Sequence, residues 1–129
     1  MEYTFGTKIP GTIADATETV TAALTAEGFG ILSTIDVAAT LKAKLDVDHD
    51  GYIILGACNA GLANLAVSAD PDVGALLPCN VVLRQEGDSV AVRIIDPGVM
   101  LGLVDAAGVH EAGAEARTKL LRVVEALAS

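Results

Sequence analysis

The sequence has no tryptophan, two phenylalanines and two tyrosines, so a core for its 129 residues has to be built from aliphatic side chains. That shortage disfavours a nucleic-acid surface, which would stack bases on aromatic rings. Positive charge is also scarce: eight Lys and Arg stand against 17 Asp and Glu, a net charge of −9. Such a balance repels phosphate backbones and anionic lipid heads, so neither nucleic acid nor a membrane is an expected partner. The first residues, Met1 to Phe5, have neither the basic start nor the apolar run of a secretory signal. The expected location is therefore cytoplasmic. With only two cysteines in such a compartment, a structural disulfide is not expected.

One long uncharged run is present, the 19 residues from Gly51 to Ala69. It has the length of a membrane span, but Asn59, Asn64 and Ser68 lie inside it and Asp50 and Asp70 flank it without Lys or Arg. A buried strand followed by a buried helix accounts for the same run. The chain as a whole, 1–129, has the size of one domain able to bury roughly two-thirds of its unfolded surface.

Local patterns give the elements. Glu2 to Ile9 has strand character and ends at Pro10-Gly11. Thr12, with Asp15 three residues on, starts a helix whose apolar stripe is Ile13, Ala16, Val20 and Leu24, up to a stop at Gly28. Gly30 to Ile35 reads as a second strand, and Asp36 caps a short helix carrying Val37, Leu41 and Leu45. Gly51 to Cys58 reads as a buried third strand, and Asn59 is placed to cap a small-residue helix ending near Asp70-Pro71. Cys79 to Gln85 and Ser89 to Ile95, joined by Glu86-Gly87-Asp88, make a hairpin. A final helix from about Val109 to Leu127 puts Ala116, Leu120, Val123 and Leu127 on one stripe, with Glu115 and Lys119 as an i, i+4 ion pair outside. The predicted fold class is α+β: a two-layer, mostly antiparallel sheet covered by helices, with a long C-terminal helix.

Several chemical motifs fail on inspection. Asp46-Val47-Asp48-His49-Asp50-Gly51 copies the start of a calcium-binding EF-hand loop, but Ala57 stands where the bidentate Glu belongs. Gly56 to Gly61 has the two glycines of a phosphate loop, but Leu62 replaces the Lys. His49 and His110 match no metal-ligand spacing with the cysteines, so no metal site and no cofactor is expected. Val99 to Val104 is an apolar run readable as a subunit contact, a lid or a short core helix.

What remains is a repeated Cys-Asn pair, Cys58-Asn59 and Cys79-Asn80. Cys58 sits just before a helix start, a position at which thiols tend to become more reactive. Cys79 follows Pro78 and shares an apolar strand face with Val81 and Leu83, the setting of a buried thiol. Both cysteines are equally readable as small core residues.

Several segments taken together resemble one family. They are Glu27 to Leu32 leading to Ile35-Asp36-Val37, Thr40 to Leu45, Ile54 to Asn59, and Leu76 to Val81. This pattern is similar to the family catalogued as domain of unknown function 302. The resemblance implies a curved antiparallel sheet with a long C-terminal helix, an architecture like that of the TATA-binding-protein-like fold class, and a homodimer. By position, Asp36, Lys42, Lys44, Cys58, Asn59, Pro78, Cys79 and Asn80 match the family's recurring residues; Ala60 departs from it, standing where the family has Pro. The expected function is a dimeric module that binds a small-molecule ligand or carries out thiol redox chemistry at the two Cys-Asn pairs. The alternative is a structural or protein-interaction homodimer whose cysteines only pack. Whether the protein is an enzyme stays open, since no general base adjoins either thiol in sequence and Lys42 or Lys44 would serve only if the fold brought them there.

Overall fold

The computed structural model describes residues 2–129. Five strands form one sheet in the order β1-β5-β4-β3-β2, with every neighbouring pair antiparallel. They are β1 (Thr4–Pro10), β2 (Gly30–Asp36), β3 (Tyr52–Cys58), β4 (Cys79–Glu86) and β5 (Ser89–Ile95). The helices are α1 (Ile13–Ala26), α2 (Val37–Leu45), α3 (Ala60–Ala69), α4 (Pro97–Leu101) and α5 (Ala107–Ala128), and a 3₁₀ turn covers Pro71–Leu76. The α+β architecture expected from the pattern is thus the one observed. The uncharged run Gly51 to Ala69 divides into β3 and α3, and no helix among the described residues is long and apolar enough to cross a membrane.

The expected caps form. Thr12 Oγ1 accepts the Asp15 backbone N–H at 3.3 Å, Asp36 Oδ1 that of Ala39 at 2.9 Å, and Asn59 Oδ1 that of Leu62 at 3.2 Å. Each satisfies an N–H that the first helical turn leaves without a partner. The hairpin is tighter than expected. Glu86 pairs with Ser89, so the turn is only Gly87-Asp88, with Gly87 at φ +62° in the left-handed region that a II′ turn needs at its first central position.

Strand alternation divides the sheet into two faces. Ile9, Leu55, Ala57, Val81, Leu83, Val90, Val92 and Ile94 point to the helix side and build the main core with Ala16, Val20 and Leu24 of α1 and Ala116, Leu120, Val123 and Leu127 of α5. The first and last long helices therefore lie on the same sheet face. A smaller cluster, Ala66, Val73, Leu101, Val109 and Ala112, joins α3, the 3₁₀ turn, α4 and α5. The other sheet face carries ion pairs, Lys8 with Glu86 at 2.8 Å and Arg84 with Glu86 at 2.8 Å.

One expectation needs correcting. Glu115 and Lys119 form no ion pair among the described residues; the cations of α5 reach other elements instead, Arg117 to Asp96 at 3.1 Å and Arg122 to Glu27 at 2.8 Å. Of the readings open for Val99 to Val104, the short core helix is the one observed. It forms α4 and the turn after it, with Leu101 buried in the smaller cluster and Val104 packed against it, and only Leu103, 74% exposed, faces solvent.

Candidate functional site

The site begins with register. β3 and β4 pair so that Ala57 lies opposite Cys79 and Gly56 opposite Asn80. Cys58, the last residue of β3, is thus one step diagonal to Cys79. Strands about 4.8 Å apart with a rise of about 3.4 Å per residue place these two Cα atoms on the order of 6 Å from each other. Both cysteines are free thiols and both are partly buried.

Around them lies a small cavity at the seam of the two apolar clusters. Ala57, Cys58 and Asn59 line it from the end of β3, and Leu77, Pro78 and Cys79 from the start of β4. Leu62, Ala63 and Ala66 of α3, Leu101 of α4, and Ala112 and Ala116 of α5 complete the wall with Phe29. Its volume is about 30 Å³, room for one or two heavy atoms rather than for a nucleotide or a peptide. The wall is almost entirely aliphatic, so the two thiols and the Asn59 amide carry its polarity.

Local chemistry explains why the chain closes here. Gly28, at φ +85°, ends α1 in a left-handed cap, and the Phe29 N–H donates to the Leu24 carbonyl at 3.0 Å. That cap drives Phe29, 2% exposed, inward against the cavity. The Asn59 side chain sits just outside Gly28: a Cβ there would stand 3.0 Å from its Nδ2. The Leu77-Pro78 peptide is cis.

The electrostatics of one thiol is strongly shifted. Burial pushes the Cys79 thiol up to about 11, with the neighbouring Cys58 adding to the rise. A thiol in that state stays protonated at neutral pH and is a poor nucleophile, so Cys79 offers a weak S–H donor and a polarizable surface rather than a thiolate.

Of the residues singled out in sequence, Cys58, Asn59, Pro78 and Cys79 meet at this cavity. The remainder do not. Asn80 pairs with Gly56 on the opposite sheet face and is exposed, so the second Cys-Asn pair is split between two sides of the sheet. Asp36 pairs with Ile53, five residues along β3 from Cys58, which is roughly 17 Å at strand rise. Its role is to cap α2. Lys42 is held by Asp46 at 2.9 Å and Asp48 at 3.1 Å, and these carboxylates, Asp46 first, raise its pKa. Lys44 is an exposed residue of the same helix. The acidic stretch from Asp46 is accordingly a helix-to-strand connection, with Asp46 itself at φ 53° as the C-cap of α2. No group of three or more metal-ligating side chains is found among the described residues.

The cavity residues on α3, α4 and α5 went unnoticed in sequence. Leu62, Ala63 and Ala66 follow the Asn59 cap at helical spacing, a signal that could have placed them beside Cys58. Ala112, Ala116 and Leu101 had no such signal, because only tertiary packing brings α4 and α5 to the thiols.

The sequence matches the family model described as "Domain of unknown function DUF302" over residues 5–127. Among solved structures, the crystal structure of an uncharacterized conserved protein DUF302 from Bacillus stearothermophilus superposes with a TM-score of 0.89. It covers 98% of this chain and 99% of that one at 23% sequence identity, a likeness that speaks to the fold alone. No curated protein matches the sequence.

Proposed function

The chain belongs to the DUF302 family, whose description assigns no activity, and from its own geometry we propose that it is a binding domain for a very small, uncharged ligand held in the thiol-lined cavity. One observation carries this reading. Two separate segments, Cys58-Asn59 and Pro78-Cys79, converge on one small apolar cavity in which Cys79 is kept as a neutral thiol. A charged ion gains little from such aliphatic walls, whereas an apolar or sulfur-containing molecule of one or two heavy atoms gains burial beside the two cysteines. The same pair of free thiols supports thiol redox chemistry as a variant of this reading, since their estimated Cα separation lies within the range that disulfides span.

The test uses xenon and methanethiol as probes, followed by backbone amide shifts in the native protein. Saturable shifts centred on Cys58, Leu62 and Ala112 are expected, and they should vanish in Ala63→Met, which fills the cavity from a partly exposed helix position. Absence of saturable shifts with both probes sinks the reading. For the redox variant, treatment with diamide should shorten the intact mass by two hydrogens in the wild type and not in Cys58→Ala; an unchanged wild-type mass excludes it.

A second reading rests on a different surface. The edge strand β2 exposes Leu32 (69%) at its register shift and Ile35 (48%). Apolar side chains on an unpaired edge favour strand-to-strand association, here with a second copy of the chain to give a homodimer. Sedimentation of the wild type and of Leu32→Glu/Ile35→Lys distinguishes this reading: a dimer that becomes a monomer supports it, and a wild-type monomer ends it. Replacing both cysteines by Ala leaves that association intact while removing the cavity's sulfurs.

A further inference from the structure

A second concavity lies across α5 from the thiols, and its chemistry is of another kind. His110, Ala114 and Arg117 are spaced i, i+4 and i+7 on α5, so they share one helix face. Opposite them lie Gly98 and Gly102 of the α4 segment, and the groove between encloses about 270 Å³. Small residues make it. Gly113 allows the close approach of the two helices, since a Cβ there would stand 3.0 Å from the Pro97 carbonyl oxygen and 3.1 Å from Leu101 Cβ. The imidazole and the guanidinium are therefore the side chains that give the groove its polarity.

Arg117 is fixed from one side only. Its Nε donates to Asp96 Oδ2 at 3.1 Å, and its guanidinium carbon lies 5.8 Å from the centre of the Phe5 ring. Its Cδ packs where Gly98 lacks a side chain, 3.2 Å from the position of a Cβ. Asp96, 8% exposed, is fully used: Oδ1 accepts the N–H groups of Gly98 at 2.9 Å and Val99 at 3.4 Å while Oδ2 takes the arginine. The ion pair thus consumes one of five guanidinium N–H donors. Among the described residues, the two terminal nitrogens meet no acceptor at hydrogen-bond distance. The Arg117 side chain is 48% exposed, so its terminal N–H groups are open to a solute entering the groove.

We propose that this groove binds a small oxyanion, a carboxylate or phosphate group, on the terminal nitrogens of Arg117 with His110 as a second donor. The bond from Nε to Asp96 and the Phe5 ring restrain the guanidinium on one side, and its end-on fork matches two oxygens of such a group. At about 270 Å³ the groove admits a phosphate or carboxylate group together with part of the molecule that carries it.

The test is a titration of the whole protein with inorganic phosphate and, separately, with acetate, each at ionic strength held constant by sodium chloride. Shifts of the Arg117 side-chain Nε–H and of the Gly102 and Ala114 amides are followed. Saturable shifts with at least one anion are expected, weakened at least tenfold in Ala114→Glu, which puts a carboxylate into the groove from an exposed helix position. Arg117→Lys should also weaken binding tenfold or more. A response to phosphate alone assigns a tetrahedral group, and to acetate alone a planar one. The proposal is overturned if neither anion gives a saturable shift, if chloride reproduces the shift, or if Ala114→Glu binds as well as the wild type.

Discussion

Cys79 lies directly across the β3–β4 ladder from Ala57, not from Cys58. The offset by one residue means that the two cysteines are not a flush cross-strand pair, and burial, with Cys58 as the second cause, raises the pKa of Cys79. It also leaves Cys79 facing the core with Val81 and Leu83.

A first prediction concerns reactivity. With its thiol pushed up to about 11, Cys79 is about one part in a thousand thiolate at pH 8, against about a quarter for an ordinary cysteine. In Cys58→Ala, the remaining thiol should react with Ellman's reagent at least about a hundredfold more slowly than free cysteine. Labelling at the free rate would show that Cys79 is not buried as described.

The same shift fixes a direction for stability. Folding holds the Cys79 proton to higher pH than the unfolded chain does, so between about pH 9 and 11 the unfolded state binds fewer protons and unfolding becomes easier. The stabilisation is complete below pH 9 and falls away as pH rises towards 11, by about 2–3 kcal/mol in all. Urea denaturation at pH 8 and pH 10.5 should show a smaller alkaline loss in Cys79→Ala than in the wild type. Equal losses would refute it.

Asn59 should matter through its cap. Asn59→Ala removes the acceptor for the Leu62 N–H and should cost about 1 kcal/mol by chemical denaturation, whereas Asn59→Asp, which keeps a side-chain oxygen there, should cost less. Equal costs for the two variants would mean that the amide nitrogen, beside Gly28, carries the effect instead.

Two glycines should respond oppositely to alanine. A methyl group at Gly6 would collide with the Val92 backbone carbonyl across the β1–β5 ladder, so Gly6→Ala should destabilise by about 2 kcal/mol or more. Gly74 has nothing within 4 Å of its Cβ position and no left-handed φ, so Gly74→Ala should be neutral or gain up to about 1 kcal/mol. Thermal melts of both variants decide the point.

How much of this was legible in the sequence varies residue by residue. Thr12, Asp36 and Asn59 announced themselves as caps because the signal is local, a short polar side chain two or three residues before the N–H it serves. Alternation is enough to put Cys79 in the core, and the same rule places Asn80 on the far face, apart from Asn59. The offset between Cys58 and Cys79 was not legible, since strand register is set by the whole sheet. Nor were Ala112 and Ala116: small residues on a helix stripe look alike until the partner helix is known. The Arg117–Asp96 pair, 21 residues apart in sequence, belongs with them.

The place of α5 has a further consequence during synthesis. This helix follows all five strands in the chain, yet its Ala112 and Ala116 wall the cavity and its Leu120, Val123 and Leu127 cover the same sheet face as α1. A chain made as far as β5 has all five strands but lacks the α5 side of the core. The cavity therefore comes into being only when α5 docks on the sheet, and any opening of that helix removes the wall facing the two cysteines.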